Sequence, residues 1–356
     1  MNKIIAKSVQ FIKISLVIAS LYLLSSCVTT NYLTLTVTEP APVTMPSNIK
    51  NVGILNRSLS NEKNENLDKL DKVLTMEGKD LDKEGAEQCI AGLKEELQKN
   101  TAFLDVKTIN RTEYKTTGMG IFPSPLSWPN VMKICTDSRL DALFILEMYD
   151  TDASINYTTA PVTIKGPLGT EIPAIEHTAT INTNISTGWR IYDPFNKLII
   201  DEMPINKQFT LSGRGINPME AASAIIGRKE AVKARSFQIG EEYGLRILPY
   251  KVRVNRTYYV RGTDKFKIAK RRAQTGNWDG AAELWKQEIN NVELKIAGRA
   301  HYNMAIINEI NGDLDEAIRW AQKAYEDYNN KLALDYINTL KYRKNQERKL
   351  QMQQTD

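Results

Sequence analysis

The chain has 356 residues, with 47 Lys and Arg against 42 Asp and Glu, a formal charge of +5. Three of the basic residues (Lys3, Lys7 and Lys13) lie in the first 26 positions, which leaves 44 against 42. So even a balance excludes the basic field that nucleic-acid binding needs, and two His and three Cys leave little for a zinc site.

Residues 1–26 have the layout of an export signal: a Lys-bearing start, an apolar centre from Ile14 to Leu24, then Ser25-Ser26. The apolar run is about a dozen residues, short of the roughly 20 that a bilayer span requires. Leu24-Ser25-Ser26-Cys27 resembles the lipobox of bacterial lipoproteins, which implies cleavage before Cys27 and acylation of that Cys. A diacylated, N-acylated Cys (palmitate-type chains) is a stable anchor. Residues 27–47 read as a tether, uncharged from Val28 as far as Glu39. In Bacteroidetes lipoproteins an acidic cluster after the Cys marks export to the surface. None stands here, so the expected location is the outer membrane, facing the periplasm.

The roughly 330 residues that remain suggest two domains, divided near Gly262. Over 48–262 the pattern is strand (Ile49–Leu55), a polar loop (59–79), an amphipathic helix (82–99), then strand (Phe103–Ile109). A Pro-rich loop (118–129), a helix (130–138) and a buried strand (Ala142–Met148) follow. Ala86, Cys89, Ile90, Leu93 and Leu97 recur at three- and four-residue steps, which puts them on one core-facing stripe. A β-α-β-α-β order implies right-handed crossovers and a partly parallel sheet. Thr178–Ile185, then Gly188–Tyr192, lead through Asp193-Pro194-Phe195-Asn196 to Lys197–Met203, a hairpin by its turn residues. A long helix is predicted from Pro218 to Tyr243 with Ala221, Ile225, Ala231, Ala234 and Phe237 inward. Extended chain runs from Leu245 to Tyr259. Cys89 and Cys135 are read as small buried thiols, with a disulfide between them as the alternative.

Residues 263–356 repeat. Gly276-Asn277-Trp278-Asp279-Gly280-Ala281-Ala282 recurs 36 positions later as Gly312-Asp313-Leu314-Asp315-Glu316-Ala317-Ile318. Each places a Gly turn and an acidic cap between two helices, and each resembles the tetratricopeptide repeat. A last helix, 331–352, caps the array. Helix-pair arrays of that kind bind proteins or peptides on a concave face, so Trp278, Trp285, Tyr302 and Trp320 are the candidate protein-binding residues.

Ile49-Lys50-Asn51-Val52-Gly53-Ile54-Leu55, Leu140-Asp141-Ala142-Leu143 and the Asp193–Asn196 turn together resemble the N-terminal α/β domains of the curli-pore and Tol-Pal translocation lipoproteins. The whole chain is similar to uncharacterised lipoproteins of Bacteroidetes. The expected class is α+β: an α/β domain with a mixed sheet, then all-α tetratricopeptide-like repeats. No phosphate loop, nucleophile elbow or His-Glu-x-x-His helix occurs, and His177 and His301 stand far apart. The expectation is therefore a non-catalytic protein-binding or assembly component of the envelope. It has no cofactor, metal or small-molecule substrate, and it meets the membrane through the lipid on Cys27. One alternative is a subunit of a curli-like secretion pore, whose hairpin could lie only in Thr151–Ile185, a segment interrupted by Pro161, Gly166, Pro167, Gly169 and Pro173. The other is an envelope hydrolase with an unrecognised carboxylate site.

Overall fold

A computed structural model describes residues 29–58, 81–116, 121–223 and 227–355. The export signal, Cys27 and the polar stretch from Leu59 to Lys79 lie outside the described residues, as does Ile225. Compact contacts divide the chain into two units: residues up to Pro40 with Tyr250–Met352, and Ala41–Pro249 with the last few residues.

The first unit opens on a strand where a tether was expected. β1 (Thr30–Glu39) pairs antiparallel with β7 (Tyr250–Tyr259) along its whole length, Thr30 opposite Tyr259 and Glu39 opposite Tyr250. The reason lies in the alternation Leu33, Leu35, Val37 between threonines, which turns one apolar face inward and leaves the hydroxyls outside. β7, expected in the α/β domain, therefore groups with the helices. Those are α5 (Asp264–Gln274), α6 (Trp278–Lys286), α7 (Leu294–Ile310), α8 (Leu314–Glu326) and α9 (Lys331–Thr355). α5 packs on α6, α6 on α7 and α7 on α8. The two turns of the repeat are built alike. Gly276 and Gly312 have φ of +80° and +84°, a left-handed conformation that a Cβ would strain. The side chain of the next residue caps the following helix: Asn277 accepts from Gly280 N at 2.9 Å and Asp313 from Glu316 N at 2.8 Å. The cap is thus the residue after the Gly, and Asp279 and Asp315 sit in the first turn.

The second unit is a five-stranded mixed sheet in the order β3-β2-β4-β5-β6. β2 (Asn51–Asn56) runs parallel to both β3 (Asp105–Ile109) and β4 (Ala142–Lys165). β4, β5 (Glu171–Asp193) and β6 (Leu198–Gly215) are antiparallel. On one face lie α1 (Leu81–Lys99) and α4 (Arg228–Leu245), closed over Phe144, Leu146, Trp189 and Ile191. The other face holds α2 (Trp128–Ser138) over Leu143, Ile145 and Tyr192. Cys89 on α1 and Cys135 on α2 belong to these two separate layers, both buried and both free. The fold is α+β, as the pattern of elements predicts.

The long helix predicted from Pro218 is two: α3 (Pro218–Ser223) and α4, the latter begun after Gly227 at φ +130°. The inward stripe of α4 is Val232, Ser236, Ile239, Gly240 and Tyr243; Ala234 is exposed, and Ala231 and Phe237 are half-buried. The strands depart more. β4, β5 and β6 have 24, 23 and 18 residues, against a usual five or six or so. β4 meets β2 only through Ala142–Leu146 and continues beyond it with β5 alone beside it. The predicted prolines do not break it. The β5–β6 pairing ends at His177 opposite Gly215, so beyond that point both remaining strands are edges. Pro161 and Pro173 sit there, where a missing N–H can face outward.

Candidate functional site

A β-bulge between Leu146 and Met148 organises the α2 side of the sheet. Below it Leu143 and Ile145 face α2; above it the parity reverses, and Tyr149 joins Leu146 in the opposite layer. Glu147 lies at this switch, fully buried among cations. Its carboxylate accepts from Arg57 and, at 2.6 Å, from the Tyr192 hydroxyl; the Arg190 guanidinium stands 3.4 Å away. Burial, then the Glu147 charge, pushes the Tyr192 phenol up from its ordinary value, so it stays a donor. Arg190 also donates to Glu202 at 2.6 Å and to the Pro123 carbonyl at 2.8 Å, and its guanidinium lies 4.2 Å from the centre of the Phe122 ring. Leu126 N donates to Tyr192 Oη at 2.9 Å. The described part of the Pro-rich loop is thus tied down over the sheet, with Leu126 buried and Trp128 edge-on to Tyr192. This cluster is a clamp: two cations, a phenol and a buried carboxylate satisfy one another.

Beyond the clamp the same face of β4, β5 and β6 becomes a field of hydroxyls and carboxamides. Register places them in rows across three strands: Ser154, Asn182, Thr210; then Asn156, Thr180, Ser212. Thr210 donates to Asn182 at 2.7 Å, and the Thr180 and Ser212 hydroxyls are 3.3 Å apart. The β4 and β6 members of these rows are exposed and the β5 members half-buried. Such groups both donate and accept. They are suited to hydrogen-bond a polar surface, and none is an acid, base or activated nucleophile. Ile172 and Ile175 at the two-stranded tip, and Tyr157 just before it, add exposed apolar surface.

The residues predicted to bind protein fall elsewhere. Trp285 and Tyr302 are in the core of the helical unit, and Trp285 shows no surface at all. Neither is available to a partner: each lies on the packed face of its own helix, where large aromatic side chains at helical spacing most often sit. Trp278 and Trp320 are half-buried, the first edge-on to Tyr258 at 5.4 Å, the second 5.2 Å from His301. His301 is buried with Nδ1 2.9 Å from the Ala297 carbonyl, and burial holds its pKa below the usual value. His177 lies on the ribbon, bonded to the Tyr157 hydroxyl. Glu309 repeats the buried-carboxylate pattern in the helical unit: Arg256 grips it with two bonds of 2.8 Å, Arg343 adds one of 2.8 Å and Tyr336 one of 2.7 Å. Burial alone would raise its pKa; these donors overcome that and lower it. Among the described residues no group of three or more His, Cys, Asp or Glu could hold a metal ion, and no helix is long and apolar enough to cross a membrane.

Residues 49–259 match a family described as Domain of unknown function (DUF8603), and residues 267–343 one described as Domain of unknown function (DUF6340). No curated protein matches. Among solved structures, a PelC dodecamer from Paraburkholderia phytofirmans is similar at 8% identity and a TM-score of 0.25, over 61% of this chain and 98% of that one. A homolog of the neuraminyllactose-binding hemagglutinin from Helicobacter pylori gives 11% and 0.23, over 57% and 87%. The hypothetical protein CT253 from Chlamydia trachomatis gives 10% and 0.17, over 54% and 98%.

Proposed function

This chain belongs to the DUF8603 family, and we propose that it is a non-catalytic assembly component of the cell envelope, anchored by lipid on Cys27 and holding protein partners from the periplasmic side of the outer membrane. The observation that carries this reading is the ribbon of β4, β5 and β6. Its strands run far past the length the core needs and present ordered rows of uncharged polar side chains beside a clamped loop. The ribbon takes the docking role first assigned to Trp285 and Tyr302, which are core residues. The two hairpins α5–α6 and α7–α8, with their matching Gly turns and caps, fit tetratricopeptide-like repeats.

Photo-crosslinking in cells tests the role. A photoreactive residue replaces Thr210 or Asn156 in the full-length chain, with exposed Arg235 on α4 as the control position. Discrete adducts from the ribbon positions alone are expected. Adducts of equal yield from Arg235, or none from the ribbon, would end the reading.

A second reading, a subunit of a secretion pore, gains one observation: the hairpin is continuous through its prolines and exceeds the ten or so residues per strand that a membrane barrel uses. Against it, Ala179 and Ile181 on the apolar face are buried with Ala221 of α3, where a barrel would offer them to lipid. Lipid-soluble oligomers that conduct ions would favour the pore; a monodisperse species without detergent would favour the assembly role.

A further inference from the structure

In the helical unit, three contacts set α7 antiparallel to β7. Arg256 of β7 binds Glu309 near the end of α7, Tyr259 binds Asn303 in its middle, and the carbonyl of Arg261, just past β7, accepts from Arg299 at 2.8 Å. The start of α7 therefore lies beyond the end of β7. That is also the end where β1 begins, since Thr30 pairs with Tyr259 and the Thr29 carbonyl accepts from Val260 N at 3.0 Å. Cys27 stands two positions before Thr29, a reach of at most about 7 Å. At this same end, just before α7 and at its first position, the chain shows two apolar side chains to solvent: Val292 at 99% exposure and Leu294 at 65%. Exposed Lys295 follows them and exposed Arg261 lies at the same end, with Arg299 half-buried alongside; of the two acids in the loop, Glu293 is exposed, and Glu288 is buried and paired with Lys265 at 3.2 Å.

We propose that this end of the helical unit is a bilayer-docking surface, with Val292 and Leu294 entering the interface and Arg261 and Lys295 meeting anionic phospholipid headgroups. Apolar side chains ringed by basic ones are the composition that a negatively charged membrane surface attracts. The inference rests on the lipid anchor at Cys27, because the missing tether is what brings this end to the membrane. A strand that starts three residues after the anchor fixes the orientation of the unit, where a 20-residue tether would leave it free.

The mature chain, held on nickel-chelating vesicles by a His tag in place of residues 1–27, tests the surface independently of acylation in the cell. An environment-sensitive dye is attached through Val292→Cys, or through Tyr342→Cys as the control. Cys89 and Cys135 stay unlabelled because burial removes them from the reagent and raises their pKa, Cys135 to about 12. Tyr342 is exposed beside Arg343, which binds Glu309 at the far end of the 17-residue α7, some 25 Å away. Spin-labelled headgroups in phosphatidylglycerol-containing vesicles are expected to quench the dye at 292 and spare it at 342. Arg261→Glu with Lys295→Glu is expected to lower that quenching roughly tenfold. Equal quenching at both positions, or none at 292, overturns the proposal. So does shielding of 292 without vesicles that grows with protein concentration, since the patch would then be a protein contact. The mass of the Cys27 peptide from native membranes reads the anchor separately: an unmodified Cys27 would sink the anchor whatever the vesicles show.

Discussion

Asn303 completes β7 in place of a third strand: its Oδ1 accepts from Tyr259 N at 2.7 Å and its Nδ2 donates to Tyr259 O at 2.7 Å. A side-chain amide thus satisfies both backbone groups of a buried residue, and β1, β7 and α7 are held as one piece. Asn303→Leu strands the Tyr259 N–H and C=O without partners. The expected loss is about 2–4 kcal/mol of unfolding free energy, read from urea denaturation. A loss no larger than that of a surface substitution would show that water replaces the amide.

The Glu147 clamp predicts an ordered series. Glu147→Ala leaves Arg57 without a counter-charge and Arg190 with Glu202 alone, which costs about 3–5 kcal/mol. Tyr192→Phe removes one bond to Glu147 and one from Leu126 N, for roughly 1–2 kcal/mol. Both variants should speed amide exchange in residues 121–127. Equal stability for Glu147→Ala and the parent protein would mean that the carboxylate is dispensable.

At the crossing of α1 and α4 the helices touch through glycine. A Cβ at Gly240 would stand 2.0 Å from the Cys89 carbonyl oxygen, and one at Gly92 2.0 Å from that of Phe237. Backbone cannot move aside as a side chain can, so Gly240→Ala forces the helices apart. The expected cost is roughly 2 kcal/mol or more, with a lower melting temperature. Gly227→Ala serves as the contrast: open space surrounds it, and only its φ of +130° is strained.

These relationships differ in how far the sequence announces them. The stripe Ala86, Cys89, Ile90, Leu93, Leu97 is buried as its helical spacing implies, because period alone determines a helix face. β1 carried an equally plain signal, Leu33, Leu35 and Val37 at period two, which its lack of charge disguised as a tether. The ribbon was hidden differently. Pro161 and Pro173 argue against strand until one knows that β6 ends at Gly215 and leaves both as edge positions. The Glu147 clamp could not be read at all: Arg57 and Arg190 are 90 and 43 positions away, and a single bulge decides which way Glu147 points.

Acid should weaken the helical unit in two stages. His301 is buried with its pKa held below the ordinary imidazole value of about 6.5, so the folded ring is neutral while the unfolded one takes up a proton below about that pH. The unfolded state then binds more protons, and stability falls as pH drops from 6.5 toward the folded pKa. Glu309 acts lower down. Its folded pKa lies below 4.5, so the stability it brings is complete above 4.5 and is lost as pH falls through the folded value. His301→Phe keeps a ring against Trp320 and Tyr328 and removes the first stage. The gap in melting temperature between pH 7.5 and pH 5.5 should therefore shrink in His301→Phe and persist in Glu309→Gln, which is the less stable of the two at pH 7.5. An unchanged gap in His301→Phe would assign the first stage to another group.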